Sequence, residues 1–401
     1  MRSPSVQGNS LLGYFLPRLP GNRGEELISW WHMDTAHRKL RVAIIFGGRS
    51  AEHEVSLQSA KNVLASLDSS KYEPVLIGID REGRWYLNRD SLGLLNDNDP
   101  QLIQLNKNGT EVALAASGDA RRLISLHDHA ALPDIDVIFP VLHGPYGEDG
   151  TIQGLAKLAN LPCVGSGVLG SAVSMDKDVM KRLLREADIP TPDFLVFRAS
   201  EGYENAFEQV EKRLGMPVFV KPANLGSSVG VSKVKTRAEL EQAFALAFQY
   251  DTKLLVEEAI IGREIEVSVL GNDEPIASLP GEVIAEDGFY SYDAKYIDEN
   301  GATLVIPARM TDAEIQRAQE IAIRAYRTLC ASGMSRADLF LKPDGSVLVN
   351  EINTIPGFTR ISMYPKLWEV SGIGYVDLVD RLITLAIEEF DRSNRLKTTP
   401  R

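Results

Sequence analysis

The sequence predicts a protein of mixed α/β and α+β class, with an N-terminal parallel α/β domain, a small central α+β domain and a C-terminal domain built on a mixed sheet. Three observations support this prediction. The chain has 401 residues, which is enough for two or three domains. Strands alternate with helices in its first part, whereas antiparallel strand signals dominate its last part. The domains are predicted to cover residues 39–165, 166–250 and 251–401.

The N-terminal domain is predicted from three apolar runs of strand length. Residues 40–46 are followed by two glycines and a helical pattern, and residues 72–79 and 136–141 are the other two runs. Strands that alternate with helices pair in parallel within one sheet. The polar stretch 90–130 has no clear periodicity, and we expect loops and weak elements there.

Shorter elements follow in the rest of the chain. The central region is predicted to hold a helix, two strands, a second helix and a third strand, at 176–187, 217–221, 229–234, 236–248 and 253–257. The C-terminal region is predicted to hold three strands and a last helix, at 264–270, 336–341, 347–352 and 376–390.

Composition narrows the classes of function. A net charge of −12 argues against a general nucleic-acid binder. Two distant cysteines, Cys163 and Cys330, indicate neither a disulfide framework nor a zinc site and are typical of the cytoplasm. No apolar run reaches the ~18–20 residues of a membrane span, so we expect no membrane partner. Residues 1–38 lack periodicity and are predicted to be a disordered or non-native extension, because Met33 directly precedes a plausible start.

The sharpest geometric prediction concerns a hairpin near the C-terminus. An Asp-Gly pair at 344–345 between two apolar runs is a strong two-residue turn signal. With that turn, Asp338 faces Glu351 and Arg336 faces Asn353, and all four side chains share one face. Opposed carboxylates repel, and a divalent cation such as Mg²⁺ relieves the repulsion. An exposed polar face in which Arg336 neutralises the acids is the alternative, and geometry alone leaves both open.

A Gly/Ser loop between two predicted strands suggests phosphate binding. Lys221 ends the first strand, and Gly226, Ser227 and Ser228 follow in the loop. Small residues let backbone N–H groups approach phosphate oxygens closely, and a lysine adds positive charge. The segment is not a Walker A motif, because no Gly-Lys-Ser/Thr opens a following helix. An ordinary surface hairpin loop remains the alternative.

Two polar residues follow the ends of predicted parallel strands, where open α/β sheets bind ligands. Glu52 can pair with an ammonium group, although an acid at a helix start also complements the helix dipole. His143 is either a site residue or a hydrogen-bond donor that stabilises its loop. The G-x-G-x-x-G pattern at 165–170 is interpreted as a turn, because the run before it is too short for the first strand of a dinucleotide site. The Tyr/Lys-rich segment 290–296 is predicted to be an active-site lid, or else an edge strand.

Together and in this order, these features resemble the ATP-grasp family and, within it, the D-alanine–D-alanine ligases. The resemblance covers nearly all of the chain from residue 40 to the C-terminus. It rests on long segments: FGGRSAEHEVSLQSA at 46–60, HGPYGEDGTIQG at 143–154, MDKDVMKRLL at 175–184, KPANLGSSVGVSKV at 221–234, YDAKYID at 292–298 and NEINTIPGFTRISMYPKL at 350–367. The family has a three-domain ATP-grasp fold, which agrees with the predicted boundaries.

The resemblance implies an ATP site and a metal site. It assigns ATP binding to eight residues: Lys177, Lys221, Gly226, Ser227, Ser228, Glu257, Glu264 and the lid residue Lys295. It assigns two Mg²⁺ or Mn²⁺ ions to Asp338, Glu351 and Asn353, in agreement with the hairpin argument.

The resemblance also implies the reaction, in which ATP activates one D-alanine as an acyl phosphate and the amine of a second D-alanine attacks it, for peptidoglycan precursor synthesis. Glu52 is similar to the residue that binds the first ammonium group, and His143 is placed near that substrate. Arg336 and the Gly357 N–H resemble an oxyanion hole, and Ser362 with Met363 resembles the second substrate's anchor. Further site residues are the hydrogen-bonded trio of Glu52, Ser227 and Tyr296.

Several alternatives stay open at this point. A ligase that makes D-alanyl-D-lactate is the nearest one, and Tyr296 favours the amine over the hydroxyl nucleophile. Another ATP-grasp ligase with different substrates, or an ATP-binding module without turnover, are the others. A homodimer is usual in the family.

Overall fold

The computed structural model describes residues 38–88, 94–95, 103–115, 122–285 and 302–397. Residues 1–37 of the predicted extension and the lid residues Lys295 and Tyr296 lie outside the described residues. The described residues from Leu40 onward form one compact unit. No described helix combines the length and the apolar character that crossing a membrane requires.

The first sheet has seven described strands in the order β8-β7-β6-β3-β2-β1-β9, and β4 and β5 form a separate two-stranded sheet. The strands are β1 (Leu40–Gly47), β2 (Tyr72–Ile79), β3 (Trp85–Asn88), β4 (Leu94–Leu95), β5 (Gln104–Leu105), β6 (Thr110–Leu114), β7 (Arg122–Ser125), β8 (Ala131–Asp134) and β9 (Val137–Val141). Helices α1 (His53–Ala65) and α2 (Thr151–Leu158) accompany them.

The parallel part of this sheet is as predicted, and the rest extends it. β1 pairs in parallel with both β2 and β9, which brings the carboxyl ends of β1 and β9 side by side. Beyond β2 the sheet continues antiparallel through β3, β6, β7 and β8. Loops and weak elements were predicted over 90–130, where strands of four or five residues such as β6 and β7 are too short to give a clear periodicity.

The central sheet is antiparallel, in the order β10-β13-β11-β12. Its strands are β10 (Phe194–Arg198), β11 (Val218–Pro222), β12 (Ser232–Val234) and β13 (Lys253–Glu258). Four helices belong to this part of the chain: α3 (Val168–Met175), α4 (Lys177–Glu186), α5 (Ala206–Leu214) and α6 (Arg237–Ala247). Apolar residues of α5 and α6, such as Val210 and Phe244, pack on Val218, Val220 and Leu254 of the sheet.

The third sheet runs β17-β16-β14-β18-β19, with β15 paired to β14. Its elements are β14 (Arg263–Gly271), β15 (Ile276–Ala277), β16 (Gly281–Ala285), β17 (Ala302–Val305), β18 (Gly333–Leu341) and β19 (Val347–Asn353), with helices α7 (Asp312–Thr328), α8 (Met363–Val370) and α9 (Tyr375–Asn394). Its described pairs are all antiparallel, where a mixed sheet was predicted, because several neighbouring strands are joined by short connections. The three-domain division and its boundaries stay a prediction.

The predicted hairpin has the predicted register at the site but a different turn. Arg336 lies opposite Asn353 and Asp338 opposite Glu351. The two-residue turn was wrong: Lys342 N–H donates to Ser346 O at 2.9 Å, so the loop is one residue longer. Leu339 pairs with Val349, but the next residue, Asp338, pairs with Glu351. A bulge in β19 therefore shifts the register by one residue, back to the predicted pairing. The longer loop and the bulge each shift the register by one residue in opposite directions, so the four polar side chains face each other as predicted.

Candidate active site

A cavity of about 670 Å³ lies between the central sheet and the third sheet. Residues of β11 and β13 line it on one side, and residues of β14, β16, β18 and β19 line it on the other. Nine residues predicted for ATP or metal line it: Lys177, Lys221, Gly226, Ser227, Ser228, Glu257, Glu264, Asp338 and Glu351. The cavity is of the size that holds a small organic ligand.

Helix α4 delivers the first lysine to this cavity. The Asp176 side chain caps the helix by accepting from the Asp178 and Val179 N–H groups, both at 3.1 Å. Lys177, the first helical residue, donates to the Leu225 carbonyl at 2.6 Å and lies 3.2 Å from the Glu351 carboxylate. One ammonium group thus connects the Gly/Ser loop with the predicted metal face.

A buried charge cluster lies beside it. Lys221 donates to Glu257 at 2.7 Å, and Lys181 lies 3.3 Å from the other oxygen of the same carboxylate. Burial lowers the pKa of Lys181 to about 8 despite Glu257. Burial also opposes the charges of Lys221 and Glu257, but their attraction outweighs it, so the pKa of Lys221 is raised and that of Glu257 is lowered. Two lysines share one carboxylate, which leaves positive charge for an anionic ligand.

The bulge in β19 adds a hydrogen-bond acceptor to this charge cluster. Asn350 has no partner in the β18–β19 pairing, and its side-chain oxygen accepts from Lys221 at 3.1 Å. Asn350 and Glu351 are neighbours in the chain, yet both line the cavity. In a regular strand consecutive side chains point to opposite faces, so the bulge turns Asn350 toward the lysine.

Two of the predicted metal ligands, Asp338 and Glu351, line the cavity, and the third, Asn353, contacts Asp338. Arg336 donates to both Asp338 oxygens, at 2.7 and 2.8 Å, and Asn353 donates to one of them at 3.0 Å. Two carboxylates and an amide oxygen form a hard donor set that suits Mg²⁺ or Mn²⁺. Among the described residues no three His, Cys, Asp or Glu side chains converge on one point, so a metal here depends on Asn353 as well as the acids.

Glu52 connects the first sheet to the Gly/Ser loop. It is buried before α1, and it accepts a hydrogen bond from the Ser227 hydroxyl. A Cβ atom at Gly144 would lie 2.8 Å from Glu52 Oε2, and one at Gly226 would lie 3.2 Å from it, so two glycines give the carboxylate room. Ser227 and Ser228 both have left-handed backbone angles, φ 52° and 59°, at a cost of about 1–3 kcal/mol each.

His143 holds two loops together. Its Nδ1 lies 3.0 Å from the Ile355 carbonyl, which can only accept, so Nδ1 carries the proton. The Ser59 hydroxyl lies 3.1 Å from Nε2 and accepts from the Phe358 N–H at 3.1 Å. Burial lowers the pKa of His143, which keeps the ring neutral. Both ring nitrogens therefore contact protein groups and fix the segment 355–358 against the end of β9.

Glu148 reinforces the same junction. It is buried and accepts from the Gly144 N–H at 2.7 Å and the Ile355 N–H at 3.1 Å. Burial and the nearby charge of Glu52 raise the pKa of Glu148 to about 8, although the two backbone donors favour its ionised form. The loops that follow β9 and β19 are thus joined by one carboxyl group.

The predicted second-substrate anchor lies at the start of α8. A Cβ atom at Gly357 would lie 2.7 Å from the Ser362 hydroxyl, so glycine is needed for this close approach. The Ser362 hydroxyl accepts from the Thr359 N–H at 2.9 Å. The Met363 side chain packs in the core with Val283 and Leu367, so only its backbone N–H is available to a ligand.

Sequence reasoning missed five residues of this site: Ser59, Glu148, Lys181, Glu266 and Asn350. Glu148 lies within the quoted segment 143–154, and Lys181 follows Lys177 by one helical turn, so both positions carried a signal. Ser59 and Asn350 also lie within segments that carry the resemblance, but their contacts, like those of Glu266, depend on partners distant in sequence or on a bulge, which no local pattern shows.

A cavity held between an antiparallel sheet with a Gly/Ser loop and a second sheet with acidic residues is the arrangement of ATP-grasp enzymes, which use ATP and a divalent metal. The family models "D-ala D-ala ligase N-terminus" and "D-ala D-ala ligase C-terminus" match residues 41–166 and 183–384. The chain therefore belongs to the D-alanine–D-alanine ligase family.

Individual relatives agree along almost their whole length. The D-alanine–D-alanine ligase of Shouchella clausii is 54% identical over 361 residues, which are 90% of this chain and 98% of that protein. D-alanine–D-alanine ligase A of Salmonella typhimurium is 52% identical over 90% of this chain and 99% of its own.

Solved structures confirm the predicted fold class. The D-alanine–D-alanine ligase of Coxiella burnetii superposes with a TM-score of 0.77 at 40% identity, covering 89% of this chain and 98% of that one. The VanG D-Ala:D-Ser ligase of Enterococcus faecalis also gives a TM-score of 0.77, at 37% identity over 87% of this chain and 100% of its own.

Proposed function

We propose that this ligase uses ATP to join two D-alanine molecules into D-alanyl-D-alanine, with release of ADP and phosphate, for peptidoglycan precursor synthesis. The carboxylate of the first D-alanine attacks the γ-phosphorus of ATP and forms an acyl phosphate. The amine of the second D-alanine then attacks the acyl carbon, and phosphate leaves with one oxygen of the original carboxylate. The observation that carries the proposal is the cavity in which the Gly/Ser loop, Lys177, Lys221 and the carboxylates of Asp338 and Glu351 converge beside Glu52.

We propose that different residues of the ATP site bind the phosphates, the adenosine part and the metal ions. Lys177, Lys221 and the N–H groups of Gly226, Ser227 and Ser228 bind the phosphates. Glu257 and Glu264 lie on the same cavity and bind the adenosine part. Asp338, Glu351 and Asn353 would hold two Mg²⁺ or Mn²⁺ ions, which supply positive charge to the transferring phosphoryl group. Lys295 and Tyr296 are proposed lid residues on the strength of the resemblance alone.

The two D-alanine subsites are proposed on either side of the acyl carbon. Glu52 binds the first ammonium group, and neutral His143 positions the loop 355–358 beside that substrate. Arg336 and the Gly357 N–H stabilise the oxyanion of the tetrahedral intermediate. Ser362 and the Met363 N–H, at the start of α8, bind the second carboxylate, where the helix dipole favours negative charge.

The second substrate needs a direct test, because the VanG ligase of similar fold acts on D-Ser. Purified protein with ATP and Mg²⁺ would be given D-alanine alone, D-alanine with D-Ser, D-alanine with D-lactate, or L-alanine. We expect phosphate release and D-alanyl-D-alanine with D-alanine alone, and none with L-alanine. A mixed product that exceeds D-alanyl-D-alanine at equal concentrations would contradict the proposed second substrate. ATP hydrolysis without D-alanine would contradict the ligase reaction.

We also propose, from the family resemblance, a homodimer in the cytoplasm that binds neither nucleic acid nor membranes. The three-domain division at residues 39–165, 166–250 and 251–401 is part of the same proposal, and it is supported by three sheets that follow one another along the chain.

A further inference from the structure

Three carboxylates form a row across the floor of the cavity. Glu266 of β14 lies opposite Asp338 of β18, and Asp338 lies opposite Glu351 of β19. All three line the cavity, and Glu266 is only 6% exposed. Side chains that are directly opposed have Cβ atoms about 4.5–5.5 Å apart, so like charges there repel. Glu351 and Asp338 belong to the proposed metal site, whereas nothing so far explains Glu266.

Arg336 lies between two of these carboxylates. Its Nε is 2.7 Å from Asp338 Oδ1 and 3.0 Å from Glu266 Oε2, and its Nη2 is 2.8 Å from Asp338 Oδ2. Both carboxylate oxygens of Asp338 thus accept hydrogen bonds from the Arg336 guanidinium, while a metal ion needs at least one of these oxygens. Each oxygen keeps a second lone pair that a metal could use, but the guanidinium and the metal are both cations, so Arg336 opposes metal binding at Asp338.

A partly buried guanidinium that loses one anion needs another, because an uncompensated charge away from water is costly. Glu266 is already within ion-pair distance of Arg336 Nε, and it lies on the opposite side of Asp338 from Glu351. It can keep Arg336 beside the reacting carbon while Asp338 turns toward the metal and Glu351.

We infer that Glu266 is a positioning residue that compensates Arg336 and thereby frees Asp338 to bind the divalent metal. This inference rests on the proposed function, since both the metal role of Asp338 and the oxyanion role of Arg336 belong to it. Glu266 acts through Arg336 and does not itself bind metal or substrate.

The inference predicts that neutralising Glu266 weakens metal binding. In Glu266→Gln, Arg336 keeps Asp338 as its nearest anion and opposes metal binding more strongly. Side chains that orient metal ligands typically change metal affinity by about 10–100-fold when they are mutated, and we expect a loss of about tenfold here. Glu266→Asp, which keeps the charge, should lie closer to the wild type than Glu266→Gln does.

The experiment titrates Mn²⁺ into the full chain without ATP or D-alanine and follows free Mn²⁺ by electron paramagnetic resonance. The decisive variant is Arg336→Met combined with Glu266→Gln, which removes the opposing guanidinium and should restore Mn²⁺ affinity to at least the wild-type value. Glu282→Gln is the matched control, because Glu282 pairs with Arg263 at 2.7 Å on the next strand of the same sheet, and it should bind Mn²⁺ like the wild type. Thermal melts confirm that each variant is folded.

Two results would overturn the inference: unchanged Mn²⁺ affinity in a folded Glu266→Gln variant, or a loss that Arg336→Met does not reverse. The second result would make Glu266 a direct metal ligand or a structural residue. Absence of Mn²⁺ binding in the wild type and in every variant, both without nucleotide and with a non-hydrolysable ATP analogue, would instead contradict the metal site of the proposed function, so the two failures are distinguishable.

Discussion

At the scale of single residues, the site is defined by side chains that share partners. Glu257 forms ion pairs with two lysines, and Asp338 accepts hydrogen bonds from Arg336 and Asn353. Nine of the polar and glycine residues predicted from the sequence line the cavity. Their pairings were not predicted, because partners such as Lys181 and Glu257 are 76 positions apart in the numbering and meet only in the folded chain. Removing one shared partner should therefore change the charge that the others present to a ligand.

The first prediction concerns pH and ATP binding. The pKa of Lys181 is about 8, lowered by burial, so the side chain is charged below pH 8 and neutral above it. Once Lys181 is neutral, the negative charge of Glu257 offsets the positive charge of Lys221. The positive charge that is available to phosphate therefore decreases. We expect the KM for ATP to rise between pH 7 and pH 9.5 while the KM for D-alanine changes less.

Variants of Lys181 separate this effect from general pH effects. Lys181→Met should have a high KM for ATP throughout the range, and Lys181→Arg, which stays charged, should lose the rise. The same rise in the folded Lys181→Met variant as in the wild type would show that another group is responsible.

The second prediction concerns the contact between Gly357 and Ser362. A Cβ atom at Gly357 would lie 2.7 Å from the Ser362 hydroxyl, so Gly357→Ala must displace the proposed second-substrate anchor. Displacements of about 1 Å can cost about 10²-fold in rate, and we expect a loss of that order in kcat/KM for D-alanine with little change in the KM for ATP. Gly154→Ala is the control, since a Cβ atom there meets nothing within 4 Å. Wild-type kcat/KM in Gly357→Ala would argue against the anchor.

At the scale of elements, most strands and helices follow from sequence pattern, and the departures have local causes. β1, β2 and α4 were predicted to within a residue or two because they are long and strongly patterned. The hairpin of β18 and β19 was predicted with the right facing residues but the wrong turn, since a longer loop and a bulge at Asn350 cancel. Only the folded sheet reveals the bulge, because Asn350 departs from strand alternation to reach Lys221.

The third prediction tests a helix that lies away from the chemistry. Thr311 and Glu314 form a complete capping box at the start of α7, with the Glu314 carboxylate 2.8 Å from the Thr311 N–H. Residues of α7 pack on apolar side chains of the third sheet, such as Val267 and Ala337. Thr311→Ala should lower the free energy of unfolding by about 1 kcal/mol and leave kcat unchanged. Urea denaturation and steady-state kinetics measure the two effects, and a loss of kcat in the folded variant would connect α7 to catalysis.

At the scale of the whole molecule, the three sheets contribute different parts of one site. The first sheet presents Glu52 and His143, the central sheet presents Lys221 and Glu257, and the third presents the acidic row. Glu52 with Ser227 and His143 with Ile355 are hydrogen bonds that tie these parts together across long stretches of chain. The residues proposed to bind the first D-alanine and those proposed to bind ATP therefore lie within hydrogen-bonding reach of each other, as an acyl-phosphate reaction requires.

The measurement that tests this account most directly follows the oxygen atoms of the first D-alanine. If its carboxylate attacks ATP and the second amine then displaces phosphate, one carboxylate oxygen must leave with the phosphate. D-Alanine labelled with ¹⁸O in both carboxylate positions should therefore give phosphate with one ¹⁸O per turnover, as measured by mass spectrometry or ³¹P NMR. Unlabelled phosphate that accompanies dipeptide formation would contradict the acyl-phosphate route and, with it, the proposed roles of Arg336 and Gly357.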